Sequence, residues 1–185
     1  MSERFSVPVL GFVAASGTGK TTLLSHLIPL LKTHGLRCAV IKHSHHDVEI
    51  DRPGKDSHRL REAGAGQVLL ASPYRTFRVE EGDGVSEPRL GELIGQLNLE
   101  RLDLVLVEGF RHECLPKIEV HRPGLGRALL CLDDVDVIAL ATDSEPGAAP
   151  ALPLLPLNRP DLIAEFVVSW QRECRERRAS TDTMC

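Results

Sequence analysis

"VAASGTGKTTLL", Val13 to Leu24, joins an apolar run to an amphipathic one through a bend that carries Gly17 and Gly19. Upstream, "VPVLGFVAA" is almost continuously apolar, as expected of a strand covered on both faces in a parallel sheet. Downstream, Leu23, Leu24, Leu27, Leu30 and Leu31 make one apolar stripe on a helix from about Lys20 to His34, with Gly35 at its C-terminal end. Strand, glycine bend and helix in this order are the setting of the P-loop, G-x-x-x-x-G-K-[ST]. Gly19, Lys20 and Thr21 fill its second half, and Ala14 replaces its first glycine. That departure is mild, because a phosphate nest needs consecutive backbone N–H groups converging on an anion. Gly17 and Gly19 supply the backbone freedom for that curl, and the helix start adds its own N–H groups and dipole. A turn that merely caps a helix would not need strand, nest, lysine and hydroxyl together. Ser16, Gly17, Thr18, Gly19, Lys20, Thr21 and Thr22 are therefore expected to hold a nucleotide's phosphates. Lys20 would reach the β/γ-phosphates and the Thr21 hydroxyl would ligate Mg²⁺.

Outward from the loop, short apolar runs alternate with helical patterns. "RCAVIKH", "QVLLAS", "RTFRVEE", "LDLVLVEGF", "KIEVHR" and "DVIALATD" read as strands, with a hairpin around Pro73. "DSHRLREAGAG" reads as a short helix capped by Asp56, "SEPRLGELIGQLN" as a helix opened by Ser86 or Glu87, and "NRPDLIAEFVVSWQREC" as the closing helix. This alternation predicts an α/β, P-loop NTPase-type fold: a mostly parallel β-sheet flanked by helices in three α/β/α layers. One domain is expected over 1–174, with a frayed tail at 175–185. The second buried strand ends in "LVLVEGF", which puts Glu108 where a magnesium-side acid belongs, followed by Gly109. A solvated acid at a strand tip is the alternative reading.

Bulk composition narrows the partners. A net charge of −4 and 4% aromatic residues leave neither a basic grip on nucleic acid or membrane nor stacking platforms for bases. No apolar run approaches the ~18 residues of a spanning helix, and the N-terminal stretch lacks the layout of a secretory signal. The five cysteines are scattered and never in a C-x-x-C pair, which suits reduced thiols. A cytoplasmic protein without nucleic-acid or membrane partners is expected.

"KHSHHDVEIDRPGKDS" is the least ordinary segment. His43 and His45 share a face on an extended chain with Asp47 in line, which could ligate a transition metal. A polar switch loop over the phosphates is the preferred reading. If the histidines held a metal, the protein would be a metallochaperone GTPase. If Arg59, Arg61, Arg75 and Arg78 formed a lid, it would be a small-molecule kinase.

"SGTGKTTLL", "IKHSHHD", "DRPGKDS", "EAGA" and "LVEGFRHE…PKIEV", in this order and over Val7 to about Trp170, resemble the molybdopterin-guanine dinucleotide biosynthesis protein B (MobB) family. The resemblance implies a P-loop GTP-binding protein of the dimerising GTPase/ATPase class, accessory to the transferase that joins GMP to molybdopterin. It makes Glu108 the magnesium-side acid and His43 to Ser57 a switch-like loop, with His43, His45, His46, Asp47, Asp51, Lys55 and Asp56 its polar members. Ala15 stands where some relatives of the class carry a trans-acting lysine.

Guanine recognition rests on that resemblance, since no intact N/T-K-x-D is present. "ALATDSEP" places Asp143 just beyond a strand, and "LNRPD" places Asn158 as a second base contact, although Asn158 with Asp161 also reads as a helix cap. The expectation is a GTP- and Mg²⁺-dependent accessory protein with weak GTPase activity in molybdenum cofactor synthesis. It would be a homodimer and an adapter to the guanylyl transferase, with molybdopterin a further partner.

Overall fold

The computed structural model describes residues 5–44, 48, 51–147 and 151–182. In chain order the elements are β1 (Val9–Val13), α1 (Lys20–Thr33), β2 (Cys38–Lys42), α2 (Asp56–Glu62), β3 (Gln67–Ala71), β4 (Thr76–Glu80) and α3 (Leu90–Gly95). Then follow β5 (Leu104–Glu108), β6 (Lys117–His121), β7 (Val137–Thr142), β8 (Leu154–Pro156) and α4 (Pro160–Asp182). The chain divides into two compact units: the part up to His43 together with Leu90 onward, and Ser44–Arg89. The single domain expected over 1–174 is thus interrupted by a segment with its own internal contacts.

The larger unit is built on a six-stranded sheet in the order β2-β5-β1-β6-β7-β8, parallel throughout. Leu10, Phe12, Leu104, Leu106, Ile118 and Val120 point to one face, where α1 (Leu23, Leu27, Leu31) and α4 (Ile163, Val167) cover them. The alternate residues Val9, Val105 and Val107 meet Leu90 and Ile94 of α3 on the other face, with Phe110 and Leu115. Strands buried on both faces explain the continuous apolar runs in the sequence. Each fully buried Leu, Ile or Phe here contributes about 1.5–3 kcal/mol relative to exposure. β6 also buries polar groups. Lys117 Nζ lies 2.8 Å from an Asp134 carboxylate oxygen, and the Glu119 carboxylate accepts from the N–H groups of Leu130 and Cys131 at 2.8 Å each. Such pairing offsets the cost of removing charge from water.

Because β1 is central and the chain leaves it toward β2 on one side, while β6 lies on its other side, the crevice at the C-terminal strand ends opens over the loop after β1. That is where the glycine loop lies.

Several boundaries differ from the sequence expectation. β8 was not anticipated, because three strand residues between prolines at an edge carry almost no periodic signal. α2 begins at Asp56 with Lys55 as its N-cap, so Asp56 sits in the first turn and does not cap. α3 starts at Leu90, later than Ser86. The Asp83 carboxylate accepts from the N–H groups of Val85 and Ser86 and from the Ser86 hydroxyl, fixing a turn there instead. The same bonds, that from the Ser86 hydroxyl first, hold the Asp83 pKa down to about 2. The segment from Arg175, expected to fray, is helical through Asp182. Arg175 reaches the Asp103 carboxylate at 3.7 Å, and Arg177 pairs with Glu173 one turn earlier at 3.1 Å.

In the smaller unit β3 and β4 form the expected antiparallel hairpin, from the pair Gln67–Glu80 to the pair Ala71–Thr76 at the turn. Its core is thin: α2 buries no residue, and Leu69 and Phe77 are 68% and 44% exposed. Among the described residues no helix is long and apolar enough to cross a membrane.

Candidate nucleotide-binding site

The loop between β1 and α1 curls as the sequence requires, with Gly17 at φ 77° and Gly19 at φ 104°. Both values lie in the left-handed region that glycine occupies at little cost. Thr18 is buried, and its hydroxyl donates to the Ala15 carbonyl at 2.7 Å, stapling the curl from inside. Gly19 is also the N-cap of α1, so the first free N–H groups of the helix open at the loop. Lys20 folds back across it, its Nζ donating to the carbonyls of Ala14 (3.2 Å) and Ala15 (3.4 Å). Burial lowers the Lys20 pKa and nearby Lys42 adds to that, while Glu108 opposes it. The first-half glycine that Ala14 replaces is therefore dispensable to the curl.

Glu108 ends β5 beside β1 and is buried. The Thr21 hydroxyl donates to Glu108 Oε1 at 2.6 Å, so the two expected metal-side groups meet. A hydroxyl and a carboxylate are hard oxygen donors of the kind magnesium takes. A cation is already seated against them: Lys42 Nζ, at the end of β2, lies 3.2 Å from Thr21 Oγ1 and 3.5 Å from Glu108 Oε1. The residues present thus fit a divalent ion at this pair. Lys42 was missed as a site residue, although it opens the quoted histidine stretch and stands one strand away from Glu108.

Gly109 has a reason to be glycine. Its φ is +97°, and a Cβ placed there would lie 2.9 Å from the Cβ of His43. His43 donates its backbone N–H to the Glu108 carbonyl at 2.9 Å, and its ring stacks on Phe110 with centroids 4.6 Å apart. Phe110 itself is held at φ 50°. The first histidine of the stretch is anchored beside Glu108.

On the other side of the loop, Asp143 follows β7 and Asn158 follows β8. The two strands are adjacent, and the Leu157 N–H donates to the Thr142 carbonyl at 2.8 Å, so both side chains belong to one exposed edge. Asn158 does not cap α4, which opens at Pro160, and Asp161 pairs instead with Arg159 at 2.6 Å. Asp143 is engaged by a residue the sequence reading passed over. Arg122, just beyond β6, donates from Nη1 to Asp143 Oδ2 at 2.5 Å and from Nε to the Thr18 carbonyl at 3.0 Å. Its position one residue past a strand that neighbours β1 was the available signal.

Of the switch-like set, His45, His46 and Asp47 lie outside the described residues. Asp51, Lys55 and Asp56 belong to the smaller unit, where Asp51 accepts from the Ser57 hydroxyl at 3.0 Å. Among the described residues no group of three or more His, Cys, Asp or Glu side chains could hold a metal ion. Two of the arginines considered for a lid are committed within that unit, Arg61 to Glu81 at 2.8 Å and Arg78 to Glu80 at 2.7 Å. Burial pushes the Cys38 and Cys131 thiols up to about 11, so neither offers a thiolate near neutral pH.

The chain is similar to known proteins along most of its length. It is 44% identical over 174 residues to the molybdopterin-guanine dinucleotide biosynthesis adapter protein of Escherichia coli (strain K12), covering 94% of this chain and 98% of that one. The protein of the same name from Haemophilus influenzae (strain ATCC 51907 / DSM 11121 / KW20 / Rd) is 43% identical, with 89% of each chain covered. A crystal structure of molybdopterin-guanine biosynthesis protein B superposes with a TM-score of 0.65 at 26% identity, over 88% of this chain and 99% of that one. That of Bacillus subtilis MobB gives 0.68 at 23% identity, over 88% and 96%, a likeness of fold. The family model for molybdopterin guanine dinucleotide synthesis protein B matches residues 9–143, from β1 through Asp143, and the chain belongs to that family.

Proposed function

We propose that this protein is a GTP-binding adapter in molybdopterin-guanine dinucleotide biosynthesis, with weak Mg²⁺-dependent GTPase activity. The single observation that carries the reading is the meeting of three features at one strand edge. These are the curled Gly17–Gly19 loop, Lys20 folded across it, and the 2.6 Å contact between Thr21 and Glu108. A triphosphate laid in the loop would take the Lys20 ammonium from the carbonyls it now contacts. Thr21 and Glu108 would hold magnesium, whose charge offsets that of the β- and γ-oxygens. The relatives' name, adapter protein, supports the pathway and the partnering role. The partner on this reading is the guanylyl transferase that uses GTP and molybdopterin. Asp143 and Asn158 are the base-side groups.

A homodimer accords with this role. The hairpin exposes Leu70 and Phe77, cross-strand partners on one face, an apolar pair seldom left in water without use. The kinase reading loses support because Arg61 and Arg78 are already ion-paired. The deciding experiment titrates GTP against ATP, with and without Mg²⁺, and measures capture of the transferase in each state. GTP should win, and the GTP-bound form should hold the transferase more tightly than the GDP-bound form, by the ~1–3 kcal/mol typical of such coupling. Equal affinity for both nucleotides would remove guanine from the reading. Transferase capture indifferent to nucleotide would remove the adapter cycle.

A further inference from the structure

Arg122, beside the loop and held by Asp143, has no task in the proposed function. Arg122 follows the C-terminal end of β6 in the larger unit, half-buried, with its three guanidinium nitrogens placed. Nε donates to the Thr18 carbonyl at 3.0 Å, Nη1 donates to Asp143 at 2.5 Å, and Nη2 would be 3.9 Å from a Cβ at Gly19. The peptide between Thr18 and Gly19 is planar and trans, so its C=O and N–H point in opposite directions. A donor that pins the Thr18 carbonyl outward therefore aims the Gly19 N–H the other way. Gly19, at φ 104°, has no side chain to hold its peptide plane. The Thr18 hydroxyl fixes the Ala15 carbonyl but leaves this peptide to something else.

We propose that Arg122 is a positioning residue for the phosphate loop, and that Asp143 acts on the phosphates by holding Arg122 in place. The proposal rests on the reading of this loop as a nucleotide-phosphate site. It gives Asp143 a task on the phosphate side, at a residue otherwise assigned to the base. A planar fork is needed to bridge a carbonyl and a carboxylate at once, which is a guanidinium's geometry and not an ammonium's. The strut also joins the two ends of the site, since a disturbance at Asp143 reaches the Gly19 peptide through one side chain.

The test uses the whole chain and inorganic pyrophosphate, a ligand with phosphates and no base, competing against a fluorescent GDP. Arg122→Ala and Asp143→Ala should each lose about tenfold in pyrophosphate affinity, the worth of one well-placed charge-assisted hydrogen bond. The double variant should lose no more than Arg122→Ala alone, because both act through one strut. Arg122→Lys should fail to restore affinity. Asp143→Asn, which keeps the shape, and thermal melting of every variant guard against a folding defect. Pyrophosphate affinity unchanged in either alanine variant overturns the proposal, as does full rescue by lysine, which would mean a point charge suffices. If the parent binds neither GDP nor pyrophosphate, the phosphate-site reading falls first and takes this one with it. If the parent binds and Lys20→Ala does not, that reading stands whatever Arg122 does.

Discussion

The two units of this molecule use similar strand residues to different ends. In the larger one, β1, β5 and β6 are buried at every position, and even Lys117 and Glu119 lie inside with partners provided. In the smaller one, β3 and β4 expose most of their residues, Leu69 and Phe77 among them. A two-stranded hairpin with a single short helix cannot enclose a core in water. A six-stranded sheet with helices on both faces can, and it can therefore hold backbone in the unusual conformations found at Gly19, Gly109 and Phe110. On the proposed function the strand ends of the larger unit carry the chemistry, and the thin unit is left with surface to offer.

The largest test of this contrast is Lys20→Ala, which should lower triphosphate affinity by ~100-fold or more, because it removes the cation folded across the loop. Replacing Phe77 with Ser in the hairpin should leave nucleotide affinity unchanged while shifting the mass of the assembly. A hairpin variant that abolished nucleotide binding would break the division of labour. Next in size is stability. Leu27→Ala, at a fully buried position, should cost ~2–5 kcal/mol in urea unfolding, while Leu69→Ala should stay within ~0.5 kcal/mol. Equal costs would mean that the hairpin is buried in the folded assembly, which gel filtration across concentration would then show.

The fold was legible because its strands are buried on both faces, and continuous apolar runs such as "LVLVEGF" between helical stripes have few other readings. The curl after β1 was legible because left-handed backbone needs glycine at particular places, and Gly17 and Gly19 stand there. What stayed hidden has a physical reason in each case. Arg122 and Lys42 owe their importance to strand order, β2-β5-β1-β6, which brings residues far apart in sequence to one edge and leaves no local pattern. Asp83 outcompeted the expected helix start at Ser86 through its own side chain, and β8 is too short to show a period.

A third prediction sharpens the chemistry of the larger unit. Thr21→Ala and Glu108→Gln should reduce Mg²⁺-dependent GTP hydrolysis by about tenfold or more while changing GDP affinity little, since a magnesium ion held by these two residues would offset charge that only the triphosphate carries. Hydrolysis at the parental rate in both would return Glu108 to a structural role. The smallest effect concerns Asp103. Hydrogen bonds from Arg37 hold its pKa below the usual carboxylate value. A lowered folded pKa contributes stability that is present above the unfolded value, near pH 4, and is lost as pH falls through the folded one. Asp103→Asn should therefore lower the melting temperature at pH 7, by less than Leu27→Ala does, and the difference from the parent should shrink as the pH is taken below the ordinary carboxylate range. A difference that persists in acid would mean that Asp103 acts through packing.

The tight approach at Gly109 also bears on how this chain can vary. A methyl group at that position meets the Cβ of His43 at 2.9 Å on a backbone at +97°, so shape and conformation forbid it independently. Gly91 and Gly147 have neither constraint. In a library sampling every substitution, Gly109 should be a closed position while those two stay open. The route by which Glu108 could drift from the loop is then narrowed by its neighbour, in addition to the 2.6 Å hydrogen bond it accepts from Thr21.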